Sequence, residues 1–188
     1  MPSTFAKASA DKPDTAKAPA GKPRGARWAP IALLMIGMLT HLVGLSHPRQ
    51  VVFDEVHWGK FVTAYCCTGA RQFDVHPPHG KLLLTVGAVL GGYDGSQSFE
   101  SIGLPYGSHP VFWLRLIPAL CGIAIPILFF FFLRGLGGSV PIAWIGGFLL
   151  ALDNALILET RTMLFDGILV ASTLGALVAL LSIERATT

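Results

Sequence analysis

Asp54 and Glu55 are adjacent carboxylates at the start of a helix-periodic segment, and they are the first residues in the chain whose types could do chemistry. One reading is a helix N-terminus, where Asp caps and acids complement the dipole. The other is a general base, held within hydrogen-bond reach of a substrate proton. The two are compatible, since capping would fix the carboxylate's position. His76-Pro77-Pro78 must be extended, because each proline disfavours the helical region for its predecessor, and Gly80 and Lys81 lead into a second helical segment. His57, His76 and His79, with Asp54 and Glu55, are ligand types that a metal could use. No spacing among them is diagnostic, so no metal ligand is assigned and a divalent ion stays an open alternative. Arg115 falls about five residues into an apolar run. A charge at the bilayer centre costs about 2.5–3.5 kcal/mol on insertion scales, which marks such groups for function. Snorkelling to the near interface is the plainer account, and a guanidinium fork suits phosphate. Asp153, Arg161 and Asp166 form a further polar cluster, in which an Arg161–acid pair could simply brace a loop.

The surroundings of these residues are apolar. Of the 188 residues, 52% are hydrophobic and 13% charged, with a mean hydropathy of +0.59; soluble domains carry about 25% charged residues. Apolar stretches over 29–46, about 110–133, about 140–158 and about 167–183 predict four membrane spans. Six of the fourteen Lys and Arg precede residue 28, which keeps the N-terminus in the cytoplasm. Residues 1–28, rich in Ala, Lys, Pro and Ser, read as a disordered tail. No basic stripe with interleaved aromatics follows, so nucleic acid is excluded as a partner.

Crossings counted from a cytoplasmic N-terminus put 47–109 and 153–166 outside. These two segments hold eight of the eleven acids and converge on one face. In the first, Trp58, Phe61, Val62, Tyr65 and Cys66 recur at helical spacing, and the run 82–92 is apolar but too short to span; both read as amphipathic helices at the membrane surface. A transporter would gather its polar groups at the midplane instead. Cys66, Cys67 and Cys121 lack metal spacing, and neighbouring cysteines rarely bridge, so all three read as packing residues.

Five strings then carry a resemblance: VVFDEVHWGKF (51–61), FDVHPPHGKLL (73–83), GYDGSQSF (92–99), LRLIPAL (114–120) and DNALILETRTMLFDGIL (153–169). In this order and spacing they resemble protein O-mannosyltransferases, over most of residues 48–170. The family usually has Leu where this chain has His79. The resemblance implies an all-α polytopic membrane protein, the N-terminal part of a GT-C fold, with residues 29–188 as its membrane part. It implies inverting transfer of mannose from polyprenyl-phosphate mannose to Ser or Thr hydroxyls of exported polypeptides. Asp54 would be the base and Glu55 would position acceptor or donor. Arg115 would steady the departing phosphate, with Arg161 and Asp166 completing that site and His76, Lys81 and Asp153 supporting the loops. The implied partners are the lipid-linked donor, exported polypeptides, membrane lipids and another membrane protein, at the plasma membrane if the chain is bacterial. Members run to several hundred residues and about eleven spans, so a fragment or a truncated product is expected here. A transferase acting on a lipid or glycan, and an inactive membrane binding subunit, remain alternatives.

Overall fold

The computed structural model describes residues 27–187. These form seven α-helices and, among the described residues, no strand: α1 (Trp28–Leu42), α2 (Glu55–Thr63), α3 (Pro78–Leu90), α4 (Val111–Gly135), α5 (Val140–Ala151), α6 (Asn154–Thr160) and α7 (Asp166–Thr187). The all-α expectation holds. The tail expected over 1–28 lies outside the described residues, save Arg27 and Trp28, the latter opening α1.

Helix α4 is the axis, and α1, α3, α5, α6 and α7 all pack on it. Its 25 residues rise roughly 37 Å, enough to cross about 30 Å of hydrocarbon. Pro118 and Pro126 sit inside it, tolerated because neighbouring helices shield the backbone groups they release. Helix α7 is also long and apolar enough to span. Its largely exposed surface, with Leu169, Leu180 and Ile183 facing outward, is that of a lipid-facing helix.

The other two expected spans differ. The third is two helices, α5 and α6, bent by 59°. The break falls at Asp153, whose carboxylate accepts the Leu156 N–H at 2.7 Å and starts a new helix rather than continuing the old one. Helix α1 has 15 residues, roughly 22 Å of rise, and stops before Gly44 at φ +67°. Among the described residues two helices are long and apolar enough to cross a membrane, or three if the bent pair counts as one span, against the four expected.

Residues 47–109 build a packed cap over the N-terminal end of α4. Trp58 and Val62 of α2 are buried as their spacing predicts, with Leu84 and Ala88 of α3 and Val111 and Leu114 of α4. Tyr65 does not follow, since α2 widens at Ala64 into a π-helical turn, Ala64–Thr68, and Tyr65 stays exposed. In that turn Cys66 and Cys67 form a disulfide with each other, correcting the expectation that all three cysteines are packing residues. The change of winding is where the neighbouring thiols meet. Cys121 alone keeps a free thiol. Helix α3 buries Leu84, Thr85 and Ala88 and turns Leu82, Val86 and Val89 outward.

One polar contact crosses the helix interior. His41 of α1, with no exposed surface, places Nε2 2.9 Å from the Thr160 hydroxyl of α6 and Nδ1 3.0 Å from the Gly37 carbonyl. Room for it exists because α4 has Gly122 there: a Cβ would lie 2.4 Å from both His41 Nε2 and Thr160 Oγ1. Gly122→Ala should therefore part α1 from α6 and cost about 1–3 kcal/mol through overpacking. The check is the unfolding midpoint in detergent, and a midpoint equal to wild type would show that this contact holds nothing.

Candidate functional site

The site begins at a turn. Val51 is anchored by its N–H to the Leu104 carbonyl at 2.8 Å, and the Glu55 N–H closes back on the Val52 carbonyl at 3.0 Å. Phe53 sits inside that turn at φ +46°, a left-handed conformation costing a bulky residue on the order of 1–3 kcal/mol. Its ring is 62% exposed. The turn presents the two neighbouring carboxylates in opposite directions. Asp54 is the N-cap residue of α2 but makes no side-chain cap hydrogen bond, and its carboxylate is exposed.

Glu55 is wholly buried. Its Oε1 accepts from Arg115 Nε at 2.7 Å and from the Met163 N–H at 3.0 Å. Its Oε2 accepts from Arg115 Nη2 at 2.9 Å, the Val52 N–H at 3.0 Å and the Tyr106 hydroxyl at 3.1 Å. Arg115, equally buried, donates its remaining hydrogens to the Leu45, Pro48 and Gln50 carbonyls. Burial, and then the Glu55 charge, push the Tyr106 phenol well above its usual range, so it stays a donor. Fork-to-fork pairing of this kind is the strongest geometry open to the two side chains.

Residues 153–166 join the same construction. The Met163 bond ties residues 161–165 to Glu55. Arg161 donates to the Thr40 carbonyl and, at 2.9 Å, to the Val43 carbonyl, closing the end of α1. It therefore braces a helix end rather than pairing with an acid. Asp166 opens α7 with its carboxylate exposed, while Phe165 beside it packs edge-on against Trp58, ring centroids 4.4 Å apart.

His76 completes this ring contact, 5.6 Å from Trp58 and 5.3 Å from Phe165. Its Nδ1 lies 2.7 Å from Asp74 Oδ1. Lys81, only 4% exposed, donates to Asp74 Oδ2 at 2.6 Å and to the His76 carbonyl at 3.0 Å. The Lys81 ammonium, reinforced by His76, holds the Asp74 carboxyl well below the usual carboxylate range. His57 and His79 are exposed, and no group of three or more His, Cys, Asp or Glu converges on a metal position among the described residues.

The structure thus gathers Asp54, Glu55 and Arg115 with the 161–166 segment, and holds His76 and Lys81 beside them. Tyr106, Asp74, Trp58, Phe165 and the Phe53 turn are the members that sequence reasoning did not assign to the site. Asp74 lies inside a quoted string, two residues before His76, which was its available signal. Tyr106 carried none, since nothing local shows that a tyrosine will be buried against a carboxylate fifty-one positions away.

The chain is similar in sequence and in fold to known proteins. The family described as dolichyl-phosphate-mannose-protein mannosyltransferase matches residues 31–188. The chain is 40% identical over 153 residues to the protein O-mannosyl-transferase 1 of Rattus norvegicus, covering 80% of this chain and 20% of the relative. It is 35% identical over 154 residues to the protein O-mannosyltransferase 1 of Drosophila melanogaster, covering 81% and 17%. The structure of the S. cerevisiae protein O-mannosyltransferase Pmt1–Pmt2 complex bound to the sugar donor superposes with a TM-score of 0.80 at 31% identity, over 86% of this chain and 22% of that one. The chain spans about a fifth of the length of the curated relatives it matches.

Removing one partner of a buried ion pair leaves the other uncompensated, at about 3–5 kcal/mol. Arg115→Met should lower the unfolding midpoint in detergent by that order. Arg115→Lys, which keeps charge but loses the fork, should recover part of it. Equal midpoints for wild type and Arg115→Met would mean that the pair does not hold the loops.

Proposed function

The chain belongs to the dolichyl-phosphate-mannose-protein mannosyltransferase family, and from that premise we propose that the protein transfers mannose, with inversion, from a polyprenyl-phosphate mannose to Ser or Thr hydroxyls of exported polypeptides. The observation that carries the reading is the division of labour at 54–55. Asp54 is exposed and uncommitted, while Glu55 is buried and fully bonded.

A hydroxyl is a poor nucleophile at neutral pH, and a positioned base contributes roughly 10²–10⁴-fold. Asp54 is that base. It takes the hydroxyl proton as the oxygen attacks the anomeric carbon from the face opposite the leaving phosphate. Glu55 and Arg115 act through position: they fix the turn that aims Asp54 and bind both outer segments to the end of α4. Because every Arg115 hydrogen-bonding nitrogen is already engaged, this chain's contribution to the phosphate comes from elsewhere. Asp166 lies exposed at the start of α7, Arg161 holds the end of α1, and Asp153, Lys81 and Asp74 keep the loops in shape. The exposed Phe53 ring beside Asp54 offers the acceptor polypeptide an apolar contact, which accounts for keeping a phenylalanine in a turn that glycine would occupy without strain.

The membrane placement follows the charge pattern, with the N-terminus in the cytoplasm and both outer segments across the membrane. The donor, its lipid chain and a second membrane protein are the partners this reading supplies, in keeping with the donor-bound yeast complex.

The test uses membranes bearing the full gene product, polyprenyl-phosphate mannose labelled in the sugar, and a Ser/Thr peptide. Asp54→Asn should cut glycopeptide formation by about 10²–10⁴-fold while leaving the unfolding midpoint unchanged, since Asp54 makes no side-chain bond in the fold. Undiminished transfer by Asp54→Asn would remove it as the base. Label entering lipid or glycan alone would replace the protein acceptor.

A further inference from the structure

The transferase reading leaves a task open: something must meet the negative charge that grows on the phosphate as its bond to the sugar breaks. Arg115 is the cation nearest to Glu55, and its donors are spent on Glu55 and three backbone carbonyls. On the outer segments Lys60 pairs with Glu100, Lys81 with Asp74, and Arg49 donates to the Gly107 carbonyl.

His76 stands apart because three groups hold its ring while one edge remains open. Asp74 accepts from Nδ1, so the other nitrogen, Nε2, is the free one. Trp58 and Phe165 pack against the ring from two sides. Lys81, itself buried, fixes both the carboxylate and the His76 carbonyl. The imidazole nonetheless keeps 47% of its surface exposed. Exposed His57, His79 and Arg71 have no comparable support, and a donor held before the reaction begins is worth more than a mobile one.

The placement also fits. Trp58 follows Asp54 by one turn of α2, its N–H bonded to the Asp54 carbonyl at 3.1 Å, and side chains on a helix lean back toward its N-terminus. His76 touches Trp58 on the side where Phe165 leads to Asp166. Base and imidazole thus adjoin the same residue, Asp54 one turn before Trp58 along α2 and His76 against the Trp58 ring.

We propose that His76 is a substrate-contacting residue, whose Nε2 donates a hydrogen bond to the departing phosphate of the lipid-linked sugar donor. The proposal rests on the transferase reading above. In the step itself, the acceptor hydroxyl gives its proton to Asp54 and its oxygen bonds to the anomeric carbon. The bond from that carbon to the phosphate oxygen breaks, and its electron pair stays on that oxygen. His76 offers Nε2–H to the charged phosphate while Asp74 holds the ring through Nδ1. No oxidant or further reactant is needed.

Two substitutions separate this role from loop support. Asparagine places an amide nitrogen near Nδ1 and keeps the bond to Asp74, but has nothing at Nε2. Glutamine reaches the Nε2 position and gives up Nδ1. In the same membrane assay, His76→Asn should lower kcat by about 10²–10³-fold, as for loss of one transition-state donor, with KM for the donor little changed, and His76→Gln should recover part of kcat. Wild-type kcat in His76→Asn would overturn the proposal. So would an equal fall in both variants with KM rising alongside, the behaviour of a ring that only supports the loop. A wild-type protein that is inserted in the membrane yet gives no donor-dependent transfer would sink the parent reading, and is told apart by the wild-type lane alone.

Discussion

The buried contact between Glu55 and Arg115 decides the shape of everything packed over the N-terminal end of α4. Two charges without exposed surface are a costly arrangement, and their mutual attraction offsets desolvation only when the remaining lone pairs and hydrogens are also matched. Here they are matched by the chain itself: Glu55 takes the Val52 and Met163 N–H groups and the Tyr106 hydroxyl, and Arg115 takes the Leu45, Pro48 and Gln50 carbonyls. The residues that satisfy the pair come from the end of the α1 connection, the turn before α2, the loop before α4, α4 itself and the segment before α7. Strictly, it is a fastening of five segments, and no other interaction among those described joins as many.

That fastening explains why adjacent carboxylates behave differently. Residue 55 is drawn inside by Arg115, Tyr106 and the Val52 and Met163 N–H groups, while the Asp54 side chain makes no cap bond and stays exposed. The strain at Phe53 is tolerable only while Val51, Val52 and Glu55 are pinned on either side. Releasing Glu55 would let the turn relax, and Asp54 would lose its aim even though its own surroundings never changed. Stability and aim are thus coupled through one backbone turn.

Much of this was legible in the sequence, and the failures are physical. Helices α4 and α7 were readable because their apolar runs are unbroken. The bend in the third span was not readable, because a run of hydrophobic residues does not show that Asp153 will cap a new helix; only its carboxylate inside the run hinted at it. The α2 face was readable through Val62 and lost at Tyr65, where a π turn adds a residue to the winding and shifts the register that a 3.6-residue period assumes. The site's members were legible as types and order. Their assignment was not: Asp54 and Glu55 are alike to any local measure, and burial that separates them is set by Arg115, sixty residues away.

A group that exchanges protons or partners during turnover cannot also be part of what holds a low-dielectric interior together, because each change would leave a buried charge unmatched. The packed cap follows that rule. Its buried charges, Glu55, Arg115 and Lys81, are all bonded, and no buried side-chain nitrogen or oxygen among the described residues lacks a partner. Its uncommitted groups, Asp54, Asp166 and the outer edge of His76, lie at the surface. Each stands directly beside a saturated one: Asp54 next to Glu55 in the chain, His76 on the carboxylate that Lys81 grips, Asp166 three residues after the Met163 N–H that Glu55 holds. The proposed roles therefore fall on groups that adjoin the fold's most rigid points, where a side chain is well aimed and still free to change state.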